Sequence, residues 1–213
     1  MGGIKLKKKV IYQKKIHWSL DFLTECYHGG RNEQFWFGPG FDSIWYDYDL
    51  SSAYPSAMAL IGRPHWDKCR SIQNVEELLS FQSADLAFAN VDFEFPDDIS
   101  YPVLPVRTEN GLIFPRKGNS TTHISEILLA HRLGAKISLV EGKLIPSERH
   151  GNIKEGIERP IRPFDGFTKF CIEERKKFPK KTLNNLFWKE LVNSTYGKTA
   201  QGLRERRIYD LRD

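Results

Sequence analysis

The stretch KELVNSTYG, residues Lys189–Gly197, decides how this 213-residue chain is interpreted. If it is helical, Lys189, Asn193 and Tyr196 lie at positions i, i+4 and i+7, so their side chains share one face. Lys189 supplies a mobile positive charge for phosphate groups, and Tyr196 supplies a flat ring on which a nucleobase can stack. Gly197 leaves room for close approach of a nucleic acid. The alternative is a surface helix that ends in a glycine cap.

A second motif, DLSSAYPS at Asp49–Ser56, follows a segment in which apolar and polar residues alternate. The alternation over residues 41–48 predicts a β-strand that ends at Asp49, whose carboxylate can bind a metal ion at the edge of a sheet. Tyr54 is then expected in a tight turn fixed by Pro55, where its ring can pack against a sugar and exclude a 2′-hydroxyl. The alternative is a plain strand-to-helix turn with an N-cap serine.

Composition excludes several classes of protein. Apolar residues make up 40% of the chain, which is typical of globular proteins. No apolar run approaches the ~20 residues of a membrane span, and the first residues show no signal-peptide pattern. The 3 cysteines are far apart and predict reduced thiols in a cytosolic protein rather than a zinc site. The net charge of +5 gives only modest support for a polyanionic partner.

Periodicity predicts a mixed order of helices and strands, which is typical of an α+β fold. Strands are expected at residues 87–95, 111–114 and 136–141. Helices are expected at residues 56–61, 75–80 and 120–133. Residues 146–162 are polar and rich in Gly and Pro, which predicts a loop. Residues 164–178 and 183–196 predict two helices joined by a short link, and therefore an antiparallel hairpin.

The two motifs, in this order, resemble the nucleotide-site motifs of family B DNA polymerases, specifically the protein-primed group of phages, linear plasmids and related mobile elements, with organellar and viral members. The segment Tyr27–Gly30 is similar to the Tyr-x-Gly-Gly segment of that group, which binds primer–template DNA. The resemblance implies a DNA-directed DNA polymerase. Such an enzyme adds deoxynucleotides to a primer 3′-OH during DNA replication, by phosphoryl transfer with two Mg²⁺ ions. The expected location is the cytoplasm, that of the host if the protein is viral.

The resemblance assigns the metal and sugar contacts to the first motif. Asp49 is implied to be a catalytic metal ligand, and Leu50 to supply its backbone carbonyl to the metal. Ser52 and Tyr54 are implied to line the site of the incoming nucleotide, with Tyr54 as the gate that selects the sugar. Asp47 lies two residues before Asp49, so either it converges on the same metal site or it faces solvent.

The fingers of such a polymerase are implied to carry the remaining nucleotide contacts. Lys189 is expected to act in catalysis and in nucleotide binding, together with Asn193 and Tyr196. Arg175 and Lys177 are basic residues on the preceding helix that either hold the β and γ phosphates or lie on a solvated helix face. The residues expected to contact DNA are Tyr27, Gly29, Gly30 and Gly197.

The resemblance divides the chain into four parts. They are an N-terminal segment with the first part of the palm (1–62), a palm continuation with an insertion-like region (63–162), a fingers hairpin (163–197) and a truncated return to the palm (198–213). The exonuclease domain, the thumb and the Tyr-x-Asp-Thr-Asp motif of the family are missing. The sequence therefore predicts a palm-and-fingers fragment that is inactive as an isolated chain.

Three hypotheses about function remain open at this point. The chain is an enzyme component completed by a second chain that supplies the missing carboxylate motif and the thumb, or a remnant that binds DNA and nucleotides without catalysis, or a degenerate fragment. The expected partners are primer–template DNA, a dNTP, a terminal protein primer and that second chain.

Overall fold

The computed structural model describes residues 21–81, 85–152 and 157–199. Their order of helices and strands is mixed, which confirms the predicted α+β class. The chain divides into two compact units. The first unit takes its described residues from 21–37 and 64–160, and the second takes them from 38–63 and 161–199. Within the described ranges, none of the helices is both long enough and apolar enough to cross a membrane.

A four-stranded antiparallel sheet forms the centre of the first unit. In spatial order its strands are β1 (Arg70–Ser71), β6 (Lys136–Ile145), β2 (Leu86–Glu94) and β5 (Lys117–His123). The central strand β2 alternates buried and more exposed side chains, as expected of a strand with one face on the core. This confirms the strand predicted at residues 87–95, and the strand predicted at 136–141 continues to Ile145.

Two helices of the first unit cover the buried face of the sheet. Helix α2 (Val75–Leu79) and helix α3 (Ile124–Arg132) contact each other, and each contacts the sheet. The fully buried Leu78 and Ile127, one from each helix, join the same apolar core as Val91 of β2. Burying a side chain of this size stabilises the fold by about 1.5–3 kcal/mol.

The predicted helix at residues 120–133 is wrong in its first turn. Residues 120–123 belong to β5, and the helix begins only at Ile124. The side chains of Thr121 and Thr122 are buried, and these β-branched residues pair with β2. The hydroxyl of Ser120 donates a hydrogen bond of 2.6 Å to the carbonyl of Pro105. Sheet pairing and burial therefore override the helical spacing of the apolar residues.

The described part of the first unit also contains two hairpins. The first pairs β3 (Val106–Thr108) with β4 (Gly111–Ile113), in agreement with the strand predicted at residues 111–114. The second pairs β7 (Arg149–Asn152) with β8 (Ile157–Pro160). The prediction of a loop over residues 146–162 is therefore wrong for these strands, because cross-strand hydrogen bonds order a segment whose polar composition suggests a loop.

The described part of the second unit contains three helices: α1 (Ala53–Leu60), α4 (Asp165–Lys176) and α5 (Leu183–Thr199). Helices α4 and α5 form the predicted antiparallel hairpin. The Phe170 ring packs edge-on against Trp188 at 5.6 Å, while the end of α4 hydrogen-bonds to the start of α5. Helix α1 packs against both.

The predicted strand at residues 41–48 is wrong. The structure assigns no strand there, and the side chains of Ile44 and Tyr48 are 80% and 88% exposed. A strand needs hydrogen bonds from a neighbouring strand, and none of the described strands pairs with this segment. Alternation of apolar and polar residues is therefore not enough to form a strand at residues 41–48.

Candidate nucleotide-binding cleft

A cleft of about 200 Å³ in the second unit brings the two sequence motifs together. From the first motif it is lined by Asp49, Leu50, Ser52, Ala53, Tyr54 and Pro55. From the helical hairpin it is lined by Arg175, Lys189 and Asn193. Seven of the residues predicted for the nucleotide and metal sites thus lie around one cavity. Motif order predicts a single site, and the structure places these residues around the same cleft.

The chain enters α1 through an unusual backbone conformation at Ser52. Ser52 has φ 57° and ψ 37°, in the left-handed region that non-glycine residues rarely adopt. Its side chain makes no capping hydrogen bond, so the N-cap serine of the alternative interpretation is not formed. Strained backbone of this kind often occurs at functional sites. The turn leaves Asp49 and Leu50 before the helix and places Tyr54 within it.

Tyr54 lies in the first turn of α1 rather than in a separate tight turn, which corrects the prediction. The helix begins at Ala53, ahead of Pro55. Proline is tolerated in the first helical turn, because the backbone N–H groups there have no partner within the helix. Pro55 is buried and therefore anchors the start of α1.

The aromatic rings of the two motifs are in direct contact. Tyr54 of α1 and Tyr196 of α5 are stacked, with ring centroids 4.3 Å apart and an angle of 22° between the planes. Both residues are predicted nucleotide contacts, one for the sugar and one for the base. Their contact brings one predicted residue of each motif together, and their role in nucleotide binding stays a prediction.

Among the described residues that line the cleft, the charged groups are two cations and one carboxylate. Arg175 and Lys189 can attract phosphates, and Asp49 can bind a metal ion. Carboxylate and carbonyl oxygens are ligands that Mg²⁺ prefers, and Mg²⁺ often uses one or two carboxylates together with waters and substrate phosphates. Asp49 and the carbonyl of Leu50 fit that description. Within the part of the chain that the structure describes, no group of three or more His, Cys, Asp or Glu side chains is placed to hold a metal.

The two basic residues predicted at the end of α4 have different surroundings. Arg175 lines the cleft, and its Nε donates a hydrogen bond of 3.3 Å to Oδ1 of Asn185. Lys177 does not line the cleft, and its ammonium group pairs with Glu174 on the same helix. Asn185 is absent from the sequence-based predictions, since a buried asparagine before the KELVNSTYG stretch gives no distinct signal.

The residues predicted to contact DNA are placed on both units. Tyr27, Gly29 and Gly30 belong to the first unit, where the carbonyl of Tyr27 accepts a hydrogen bond of 3.1 Å from Arg107. Gly197 lies near the end of α5. A Cβ atom added at Gly29 or Gly197 would meet nothing within 4 Å. Both backbones are therefore open to a partner, and their role in DNA binding stays a prediction.

The two motifs occur together in a known protein family. Residues 7–211 match the family described as DNA polymerase type B, organellar and viral. The chain belongs to this family. The predicted family B resemblance is therefore confirmed, and a DNA polymerase of this family is a nucleotidyltransferase whose partners are DNA and dNTPs.

This family B chain is also similar to a curated relative, the primer-independent DNA polymerase PolB of Escherichia coli. The two are 38% identical over 194 residues, which cover 89% of this chain and 21% of the relative. The family B chain thus spans about a fifth of that relative's length. No solved structure matches it.

Proposed function

We propose that the second-unit cleft binds an incoming deoxynucleoside triphosphate, and that the chain acts in DNA-directed DNA synthesis. The observation that carries the proposal is the cleft itself, where Arg175 and Lys189 lie with Asp49 beside the Tyr54–Tyr196 stack. Two cations suit a triphosphate, one carboxylate suits its metal ion, and paired rings suit the sugar and base. Family membership supports the same reading.

Each side of the cleft has a separate task in this proposal. Arg175 and Lys189 hold the phosphate oxygens, and they stabilise the charge that develops during phosphoryl transfer. Asp49 and the Leu50 carbonyl would hold Mg²⁺, which supplies charge neutralisation when bound. Catalysis of this reaction consists mainly of positioning and electrostatic stabilisation.

The tyrosines and the polar residues give the cleft its selectivity. Tyr54 packs against the sugar and leaves no room for a 2′-hydroxyl, while Tyr196 stacks on the base without reading its identity. Ser52 and Asn193 line the same cleft and donate or accept hydrogen bonds with the nucleotide. A Tyr54→Val chain in an active assembly should therefore incorporate ribonucleotides.

A second chain completes the metal site in this proposal. Two-metal phosphoryl transfer requires more than one convergent carboxylate, and Asp49 is the one carboxylate among the described residues lining the cleft. The further partners proposed are primer–template DNA at Tyr27, Gly29, Gly30 and Gly197, and a terminal protein primer. The proposed location is the cytoplasm.

Primer extension tests the proposal. The purified chain is incubated with a labelled primer–template, four dNTPs and Mg²⁺, alone and with a separate chain that carries a Tyr-x-Asp-Thr-Asp motif. Extension in the mixture only, and its loss with Asp49→Asn, is the expected result. Extension by the chain alone would show that another carboxylate completes the site.

A binding function without catalysis is the second candidate, because the described part of the cleft offers a single carboxylate. In that case neither mixture extends the primer, yet the chain still binds DNA and dNTP. Fluorescence anisotropy of a labelled duplex, measured on the same samples, separates this result from a chain that binds nothing.

A further inference from the structure

Asn185 is the one buried asparagine among the described residues. It is 6% exposed and is the third residue of α5, ahead of the KELVNSTYG stretch. Asn184, its neighbour, is exposed. A buried amide needs hydrogen-bond partners, since an unsatisfied polar group in the interior is costly.

The Asn185 amide adds a side-chain donor at the end of α4, where the carbonyl of Arg175 also accepts a hydrogen bond of 3.3 Å from the backbone N–H of Phe178. Its Nδ2 donates to the carbonyl oxygens of Arg175 and Phe178, each at 3.1 Å. In a continuing α-helix the carbonyl of Arg175 would accept from the N–H of residue 179. That residue is Pro179, which has no N–H. Asn185 therefore links the end of α4 to the start of α5 across the hairpin turn.

The same side chain also holds the Arg175 guanidinium. Oδ1 of Asn185 accepts a hydrogen bond of 3.3 Å from Nε of Arg175. The guanidinium is planar and its five N–H groups point in fixed directions, so holding Nε orients the two terminal nitrogens as well. No carboxylate pairs with Arg175 among the described residues. Its terminal N–H groups are thus available to an anion in the cleft that Arg175 lines.

We propose that Asn185 is a positioning residue for nucleotide binding: it holds the Arg175 guanidinium so that the terminal nitrogens bind the phosphates of the incoming nucleotide. This inference rests on the proposed function of the cleft. Asn185 itself touches α4 and does not line the cleft. One turn further along α5 on the same face is Lys189, so the arginine and the lysine approach the phosphates from adjacent helices.

The test measures how strongly binding depends on the number of phosphates. Equilibrium dialysis with Mg²⁺ gives dissociation constants of dATP and dAMP for the unsubstituted chain, Asn185→Ala, the control Asn184→Ala and Arg175→Lys. Hydrogen bonds to charged groups are among the stronger ones, so Asn185→Ala should weaken dATP binding about tenfold. Binding of dAMP should change less than about twofold, because the phosphates proposed to contact Arg175 are missing. Asn184→Ala should change neither.

Arg175→Lys keeps the positive charge. It should also keep the fold of the hairpin, because Asn185 can still donate hydrogen bonds to the backbone carbonyls of residues 175 and 178. It should show the same loss of selectivity for dATP over dAMP, since lysine lacks the oriented fork. In the double variant the two losses should not add, because both substitutions remove the same oriented contact. Thermal unfolding midpoints establish that each variant is folded at the temperature of the binding measurement.

Two results would overturn the inference while leaving the cleft function intact. The first is unchanged dATP binding in folded Asn185→Ala. The second is equal weakening of dATP binding and dAMP binding, which indicates a purely structural role of Asn185. If Asn185→Ala is unfolded, Arg175→Lys decides in its place, and unchanged selectivity there overturns the inference. Failure of the unsubstituted chain to bind dATP would instead overturn the proposed function, and this inference with it.

Discussion

The stacked pair Tyr54–Tyr196 offers a quantitative test of how the two motifs meet. With centroids 4.3 Å apart and planes inclined at 22°, the rings have the geometry of an attractive offset stack. Such pairs contribute about 0.5–1.5 kcal/mol beyond the area they bury. Because Tyr54 is 51% exposed, we expect a coupling free energy at the lower end, about 0.5 kcal/mol. Tyr54→Leu and Tyr196→Leu remove the rings while keeping apolar volume.

The assay is a double-mutant cycle on the free energy of unfolding. Urea unfolding is followed by the fluorescence of Trp188, which lies in the α4–α5 hairpin, in a chain whose other tryptophans are replaced by phenylalanine. The two single variants and the double variant give the coupling term directly. A coupling of zero within error would refute the stack as a stabilising contact.

The same cycle with saturating dATP and Mg²⁺ tests the link to function. If the nucleotide takes the ring faces of Tyr54 and Tyr196 for its sugar and base, the two rings no longer stack on each other. The coupling should then fall towards zero in the bound state. A coupling that stays unchanged while dATP stabilises all four proteins would show that the nucleotide binds elsewhere.

Three further predictions concern the first unit. Gly134→Ala should destabilise the fold by about 1 kcal/mol in urea unfolding, because φ is +84° and the new Cβ would lie 3.3 Å from Pro96 Cγ; an unchanged midpoint would contradict this. Burial lowers the pKa of His123, so the folded state favours the neutral imidazole. The contribution of His123 to the free energy of unfolding is therefore present above the pKa of about 6.5 that the histidine has in the unfolded chain, and it should be lost as the pH falls below that value. His123→Asn keeps an N-cap and should reduce that loss, as unfolding free energies at pH 7.5 and 5.5 will show. Burial raises the pKa of the Cys26 thiol to about 12, so iodoacetamide at pH 8.5 should label Cys69 faster than Cys26 in peptide mass spectrometry; equal rates would refute it.

The helical hairpin could be predicted because the sequence features that specify it lie within one short segment. Apolar spacing, a short link with a proline and the two helical runs all lie within residues 164–199. The segment 41–48 has an equally clear pattern, yet it forms no strand because pairing depends on a partner. Residues 120–123 are the opposite case. Their local pattern predicts a helix, but they form a strand because they pair with β2, which the local sequence cannot reveal.

The candidate site could be predicted in its residues but not in its internal contacts. Motif order and residue type pointed to Asp49, Tyr54 and Lys189, and the structure places all three around one cleft. The Tyr54–Tyr196 stack and the bond between Arg175 and Asn185 depend on how helices pack, so no spacing in the sequence encodes them. Sequence motifs name the groups that can do chemistry, whereas packing determines which of them act together.

Equilibrium binding of dATP in the presence of Mg²⁺ tests the central claim most directly. Isothermal titration is performed on the unsubstituted chain, on Lys189→Ala and on the control Lys180→Ala, whose lysine is exposed and does not line the cleft. The account predicts saturable binding that weakens about tenfold or more in Lys189→Ala and is unchanged in Lys180→Ala. Equal affinity in all three proteins would contradict the assignment of the cleft as the nucleotide site.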